Sequence, residues 1–133
     1  QISLSVPFEV YSIDNEIFQS TINKIESDLY RPNGGVYRYL KDTFYGGGEW
    51  ILLSAWLGWY WCKNGQFDKA KNVRNFIESQ TDNNLNLPEQ VSSNLLDPSF
   101  YKPWNEKWGP NANPLLWSHA MYLILCEELK PNE

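Results

Sequence analysis

The chain has 133 residues, enough for one domain with its own core but not for two. Eleven Lys and Arg against sixteen Asp and Glu give a net charge of −5, with no block of like charges. Nucleic acid and anionic membrane surfaces are therefore excluded as natural partners, and a neutral or small solute fits better.

The first residues, Gln1 to Val10, lack the basic start and apolar stretch of a secretory signal, and no apolar run is long enough to span a bilayer. The expectation is a soluble, cytoplasmic chain, although its start at Gln1 rather than Met allows for a portion upstream. Between Asp14 and Tyr30, Ile17, Phe18, Ile22, Ile25 and Leu29 recur at helical spacing among polar residues, which predicts an amphipathic helix. Pro32, Asn33, Gly34 and Gly35 stop it. Glu49 to Lys63 reads EWILLSAWLGWYWCK and is apolar on every side, the pattern of a helix surrounded by protein.

After Asn64 and Gly65, the segment Phe67 to Gln80 carries a single apolar stripe of Phe67, Ala70, Val73 and Ile77. Thr81 to Ala112 has neither helical nor strand period but holds four prolines together with Phe100, Tyr101, Trp104 and Trp108. Such a stretch is a functional loop or disorder, and its aromatic content argues against disorder. Asn113 as N-cap and Pro114 at the first helical position then open a last helix, to Leu129, apolar nearly all round. The order one-sided, buried, one-sided, buried is that of a double layer of helical hairpins, with a four-helix bundle as the competing fold. Two all-round apolar helices cannot be covered by two amphipathic ones, so an exposed apolar face is expected, and with it self-association or a missing partner.

Few residues offer chemistry. Cys62 and Cys126 form no framework pattern and read as free buried thiols. The only histidine, His119, has no companions for a metal site or a nucleophile triad. Gly46, Gly47 and Gly48 precede a helix and could present N–H groups to an anion, but without the Lys and Ser/Thr of a phosphate loop a tight turn is the simpler reading. Neither a metal nor an organic cofactor is expected. Carboxylates remain, and glycoside hydrolysis is chemistry that needs two of them.

Three blocks narrow this further: YRYLKDTFYGGGEWILLSAWLGWYW (Tyr37 to Trp61), LPEQV (Leu87 to Val91) and PLLWSHAMYL (Pro114 to Leu123). With LSVPFEV (Leu4 to Val10) and WGPNANPLLWS (Trp108 to Ser118), they resemble, in order and spacing, the C-terminal part of the catalytic domain in glycoside hydrolase family 15. That family contains glucoamylases, glucodextranases and some trehalases. The resemblance implies an all-α fold of α/α hairpins, residues 1–133 forming about one third of an (α/α)6 toroid. It also implies an α-glucan or a glucose disaccharide as substrate, and hydrolysis with inversion at an α-glucosidic linkage.

Residue by residue, Glu89 in LPEQ matches the family's general base. Arg38 resembles the arginine that binds glucose hydroxyls, with Asp42 placed to orient it, and Leu40 stands where a proline is common. Trp50 and Trp117 match cleft tryptophans, whose faces can stack on pyranose rings, although plain core packing is an equal reading of each. Glu49 stands where fungal relatives have proline; at a helix start its charged form would be favoured, making it a poor proton donor. No segment matches the family's general acid, which lies upstream. The isolated chain is thus expected to be inactive, pairing with itself or with the missing N-terminal part. The competing reading is a self-associating helical module that keeps sugar binding without catalysis.

Overall fold

The computed structural model describes residues 1–132, and the side chains of 1–131. Among the described residues the fold is all-α apart from one two-residue ladder and the isolated bridges Tyr30–Val36 and Tyr37–Glu49. Its elements are α1 (Glu16–Asp28), β1 (Glu49–Trp50), α2 (Ile51–Lys63), α3 (Phe67–Ser79), β2 (Gln90–Val91), α4 (Tyr101–Trp108) and α5 (Leu116–Leu129).

α1 starts where the Asn15 side chain accepts from the Ile17 and Phe18 N–H groups, both at 3.1 Å. It buries Phe18 and Ile22 and leaves Ile17 in solvent. Long side chains join it to α2: Phe18 meets Tyr60 edge to face, Gln19 donates to the Tyr60 hydroxyl, and Trp61 Nε1 donates to Glu26. Lys69 of α3 completes this seam with an ion pair to Glu26 at 2.7 Å.

α2 is the centre of the fold. Ile51, Ala55, Leu57, Tyr60 and Trp61 are fully buried. At Gly58 the helix meets α5 and α3 at once; a Cβ there would lie 3.0 Å from Leu125 Cδ1 and 3.3 Å from Val73 Cγ1. α3 shows the expected stripe, burying Ala70, Val73, Phe76 and Ile77. α5 buries Ser118, Met121, Leu125 and Leu129 but exposes Leu116, Trp117 and Leu123. Two all-round apolar helices were not expected both to be covered, and it is α5 that the described residues cover on one side only.

Three expectations need correction. The stretch 81–112 is not structureless: it contributes β2 and α4, with Asp97 capping the 3-10 turn that leads into α4. Glu49 and Trp50 belong to β1 rather than to the helix, because they pair antiparallel with Val91 and Gln90. Finally, α5 starts at Leu116, not at Pro114, because Leu115 is extended and donates its N–H to Leu87 O at 2.9 Å. No helix of the described residues is long and apolar enough to cross a membrane.

Candidate active site

The site is assembled on the N-terminal ends of α2 and α5. Val36 fixes the approach: its N–H donates to Ser54 Oγ at 3.0 Å, and its carbonyl accepts from Trp50 N–H at 2.8 Å. Arg38 follows two residues later. Its Nε donates to Asp42 Oδ2 at 2.9 Å and an Nη donates to Oδ1 at 2.7 Å, a two-pronged pair with Asp42 only 1% exposed. Asp42 Oδ1 also accepts from Phe44 N–H at 3.0 Å.

The guanidinium carbon lies 4.6 Å above the Trp50 ring and 5.2 Å from that of Phe44. Burial alone would weaken its charge, but the bond and the charge of Asp42 outweigh this and hold Arg38 above its ordinary pKa. The pair is therefore a fixed cation with one side to solvent. The ion pair and the proposed binding role for Arg38 are not alternatives here, because Asp42 takes one edge of the fork and leaves the rest.

The turn after Phe44 serves close packing, not anion capture. Gly47 lies in the left-handed region at φ 70°, and a Cβ there would fall 2.2 Å from Asp42 O. A Cβ on Gly48 would fall 2.1 Å from Val91 O. The turn's N–H groups are used internally: Gly46 to Thr43 O, Gly47 to Phe44 O, and Gly48 to Gln90 Oε1 at 2.7 Å.

Leu87 to Val91 runs extended between the starts of α5 and α2. Glu89 N–H donates to Ala112 O at 2.8 Å, and Glu89 O accepts from Ile51 N–H at 3.2 Å. Alternation along an extended segment then sends consecutive side chains to opposite sides. Gln90 is 3% exposed and points inward, its Oε1 taking Gly48 N–H and its Nε2 donating to Phe44 O at 3.1 Å. Glu89 is half-buried on the Arg38 side. Burial raises its pKa above the ordinary carboxylate value, the positive Arg38 opposes the shift and Asp42 adds to it. Among the described residues no hydrogen bond reaches the Glu89 carboxylate. Its oxygens are free to accept a proton from a bound water.

The tryptophans divide. Trp50 is 7% exposed and lies under Arg38, stacked on Phe44 at 5.9 Å, so it supports the guanidinium. Trp117 is 55% exposed on α5, its ring 6.5 Å from that of Trp56. Trp56 in turn lines a groove of about 430 Å³ that includes Arg38, Tyr37, Tyr39 and Leu53. The structure thus brings Glu89, Arg38, Asp42 and Trp50 together, and it places Trp117 against Trp56 on the first turn of α5, one residue before the Ser118 that bonds Pro88.

Glu49 stands not at the helix start expected of it but in the strand that precedes it. It is fully buried in β1, with both oxygens accepting from Asn33 Nδ2 at 3.1 and 3.2 Å and from Asn94 Nδ2 at 3.4 and 3.3 Å. Neither Glu49 nor Asp42 presents an oxygen to a ligand. Gln90 and Phe44 are the site residues that sequence reasoning passed over. The signal for Gln90 was its place next to Glu89 in an extended run, which puts one side chain outward and the next inward.

No family profile matches the chain. It is 45% identical over 93% of its length to an isomaltose glucohydrolase of Kribbella flavida, spanning 32% of that protein. An uncharacterized glycosyl hydrolase of Methanocaldococcus jannaschii is 30% identical over 96% of the chain, which spans 21% of it. Among solved structures, a glycosidase glutamate-to-alanine variant in complex with glucose superposes with a TM-score of 0.93, at 43% identity over 97% of this chain and 34% of that one. The wild-type glycosidase gives a TM-score of 0.92 with the same coverage. The chain is thus related over nearly its whole length to about a third of a glycoside hydrolase.

Proposed function

We propose that this chain is the base-bearing third of an inverting, glucoamylase-type α-glucoside hydrolase of family 15, with Glu89 as the general base. One observation carries the reading: a half-buried, unbonded carboxylate of raised pKa beside a guanidinium held in place by Asp42. The relatives are glycosidases, one of them named for isomaltose and one bound to glucose.

In this mechanism Arg38 binds sugar hydroxyls with the edge of its fork that Asp42 leaves free. A water between Glu89 and the anomeric carbon gives its proton to the carboxylate as its oxygen attacks, and the glycosidic oxygen leaves from the opposite face. The leaving oxygen needs a proton from an acid roughly 6.5–9.5 Å from the base. Asp42 and Glu49 are committed to Arg38 and to the two asparagines, so the acid comes from outside these residues, in the remaining two-thirds of the toroid. That portion would also cover the exposed face of α5.

The test is glucose release from isomaltose, maltose and trehalose by the chain joined to the rest of such a domain. Glu89→Gln should lower kcat by about 10²–10⁴ and leave glucose binding intact. Because burial raises the Glu89 pKa, the acid limb of the pH–rate profile should lie above the ordinary carboxylate range. Undiminished turnover in Glu89→Gln would overturn the assignment. Glucose binding with no release from any of the three disaccharides would favour a sugar-binding module.

A further inference from the structure

We infer that His119 is a positioning residue for Glu89, acting through the backbone of Leu87; this rests on the reading of Glu89 as the base. The backbone polar groups of Leu87 to Glu89 are all engaged. Leu115 N–H donates to Leu87 O at 2.9 Å, Ser118 Oγ donates to Pro88 O at 2.7 Å, and Glu89 is held at both ends as described. The remaining donor, Leu87 N–H, goes to His119 Nε2 at 3.0 Å. Two successive side chains of α5, Ser118 and His119, thus clamp the two residues that precede the base.

Of these bonds, the one to His119 has as its acceptor an imidazole nitrogen, which a proton can occupy. A backbone N–H can only donate, so Nε2 must be unprotonated and the ring neutral, with its hydrogen on Nδ1. Protonation would set an N–H against an N–H. Leu87 is 1% exposed, which leaves its amide without water to turn to. The segment would have to move, and the Glu89 carboxylate with it.

The groups facing the imidazole are known from the groove of about 340 Å³ that it lines with Glu78, Thr81, Leu85 and Tyr122. Glu78, at the end of α3, accepts from the Tyr122 hydroxyl at 2.9 Å and pairs with Arg74 at 3.7 Å. Asp82, on the loop before Leu87, is occupied by the N–H groups of Asn84 and Asn86. The acid limb of activity should accordingly contain two ionisations, one from protonation of the base and one from its displacement.

Two variants separate them. Gln at 119 can place an acceptor near Nε2 without titrating; Leu cannot accept. In the complete enzyme, His119→Leu should lower kcat about tenfold to a hundredfold, with KM little changed. His119→Gln should restore most of it and leave one ionisation in the acid limb. An unchanged acid limb in His119→Gln together with an unchanged kcat in His119→Leu would overturn the inference. Amide exchange at Leu87 in this chain gives a readout independent of hydrolysis. Exchange that quickens as the imidazole protonates in the wild type, and not in His119→Gln, supports the anchor. Exchange indifferent to that protonation refutes it. Absence of glucose release from the wild type would instead count against the proposed function.

Discussion

α2 and α5 have nearly the same apolar make-up around their whole circumference, yet their surroundings differ. α2 is enclosed by α3, α5 and the long side chains of α1, and Leu57, Tyr60 and Trp61 have no accessible surface. α5 packs on α2 and α3 with one face and leaves Leu116 at 82%, Leu123 at 61% and Trp117 at 55% exposure. An apolar helix records that it needs a neighbour, not that the neighbour is in the same chain. A chain that spans about a third of its glycosidase relatives has such a helix at its edge.

The largest test of this contrast is paired truncation. Leu57→Ala should cost about 2–5 kcal/mol, from lost burial and the cavity left behind, whereas Leu123→Ala should stay within about 0.5 kcal/mol. Urea unfolding of both variants measures this. Equal costs would mean that the α5 face is covered, by a second copy if the midpoint also depends on protein concentration.

The buried hydroxyls of the two helices give a smaller difference. Ser54 holds the buried Val36 N–H, so Ser54→Ala leaves an orphan donor and should cost about 1–3 kcal/mol. Ser118→Ala frees only the carbonyl of the part-exposed Pro88, an unpaired C=O being tolerated more readily than an orphan N–H, and should cost about 1 kcal/mol or less. Reversed costs would break the ordering of the two helices.

Smallest in energy, though easily read, is thiol labelling. Both cysteines are free, but burial pushes the Cys62 thiol up to about 11, with the Glu128 charge adding to it, while Cys126 on α5 is part-exposed. Iodoacetamide at pH 8 should modify Cys126 well before Cys62. Equal rates would place α5 under cover.

The four longer helices were legible because hydrophobic spacing over thirteen or fourteen residues is a strong signal. Their ends were less so. Leu115 looks like part of a helix, but its N–H is taken by the carbonyl of Leu87, distant in sequence and so invisible in the local pattern. α4 escaped because eight residues carry little period and Pro103 argues against a helix unless it falls in the first turn, as it does. β1 and β2, of two residues each, are too short to show alternation. Glu89 and Arg38 were read through resemblance; composition and spacing alone left Glu89 a loop carboxylate. The burial of Glu49 was invisible because its donors, Asn33 and Asn94, come from two separate loops.

Gln90 has a consequence for how Glu89, the proposed base, finds its place. Glu and Gln have almost the same shape, so a slip of the segment by one position would carry Glu89 into the place of Gln90 with little steric protest from that side chain. The inward site, however, asks for one acceptor toward Gly48 N–H and one donor toward Phe44 O, and Gln90 supplies both. A carboxylate there could answer only the first and would face the Phe44 carbonyl with like partial charge. The amide therefore proofreads the reading frame of the strand, and the difference of one nitrogen keeps the Glu89 carboxylate on the side of Arg38.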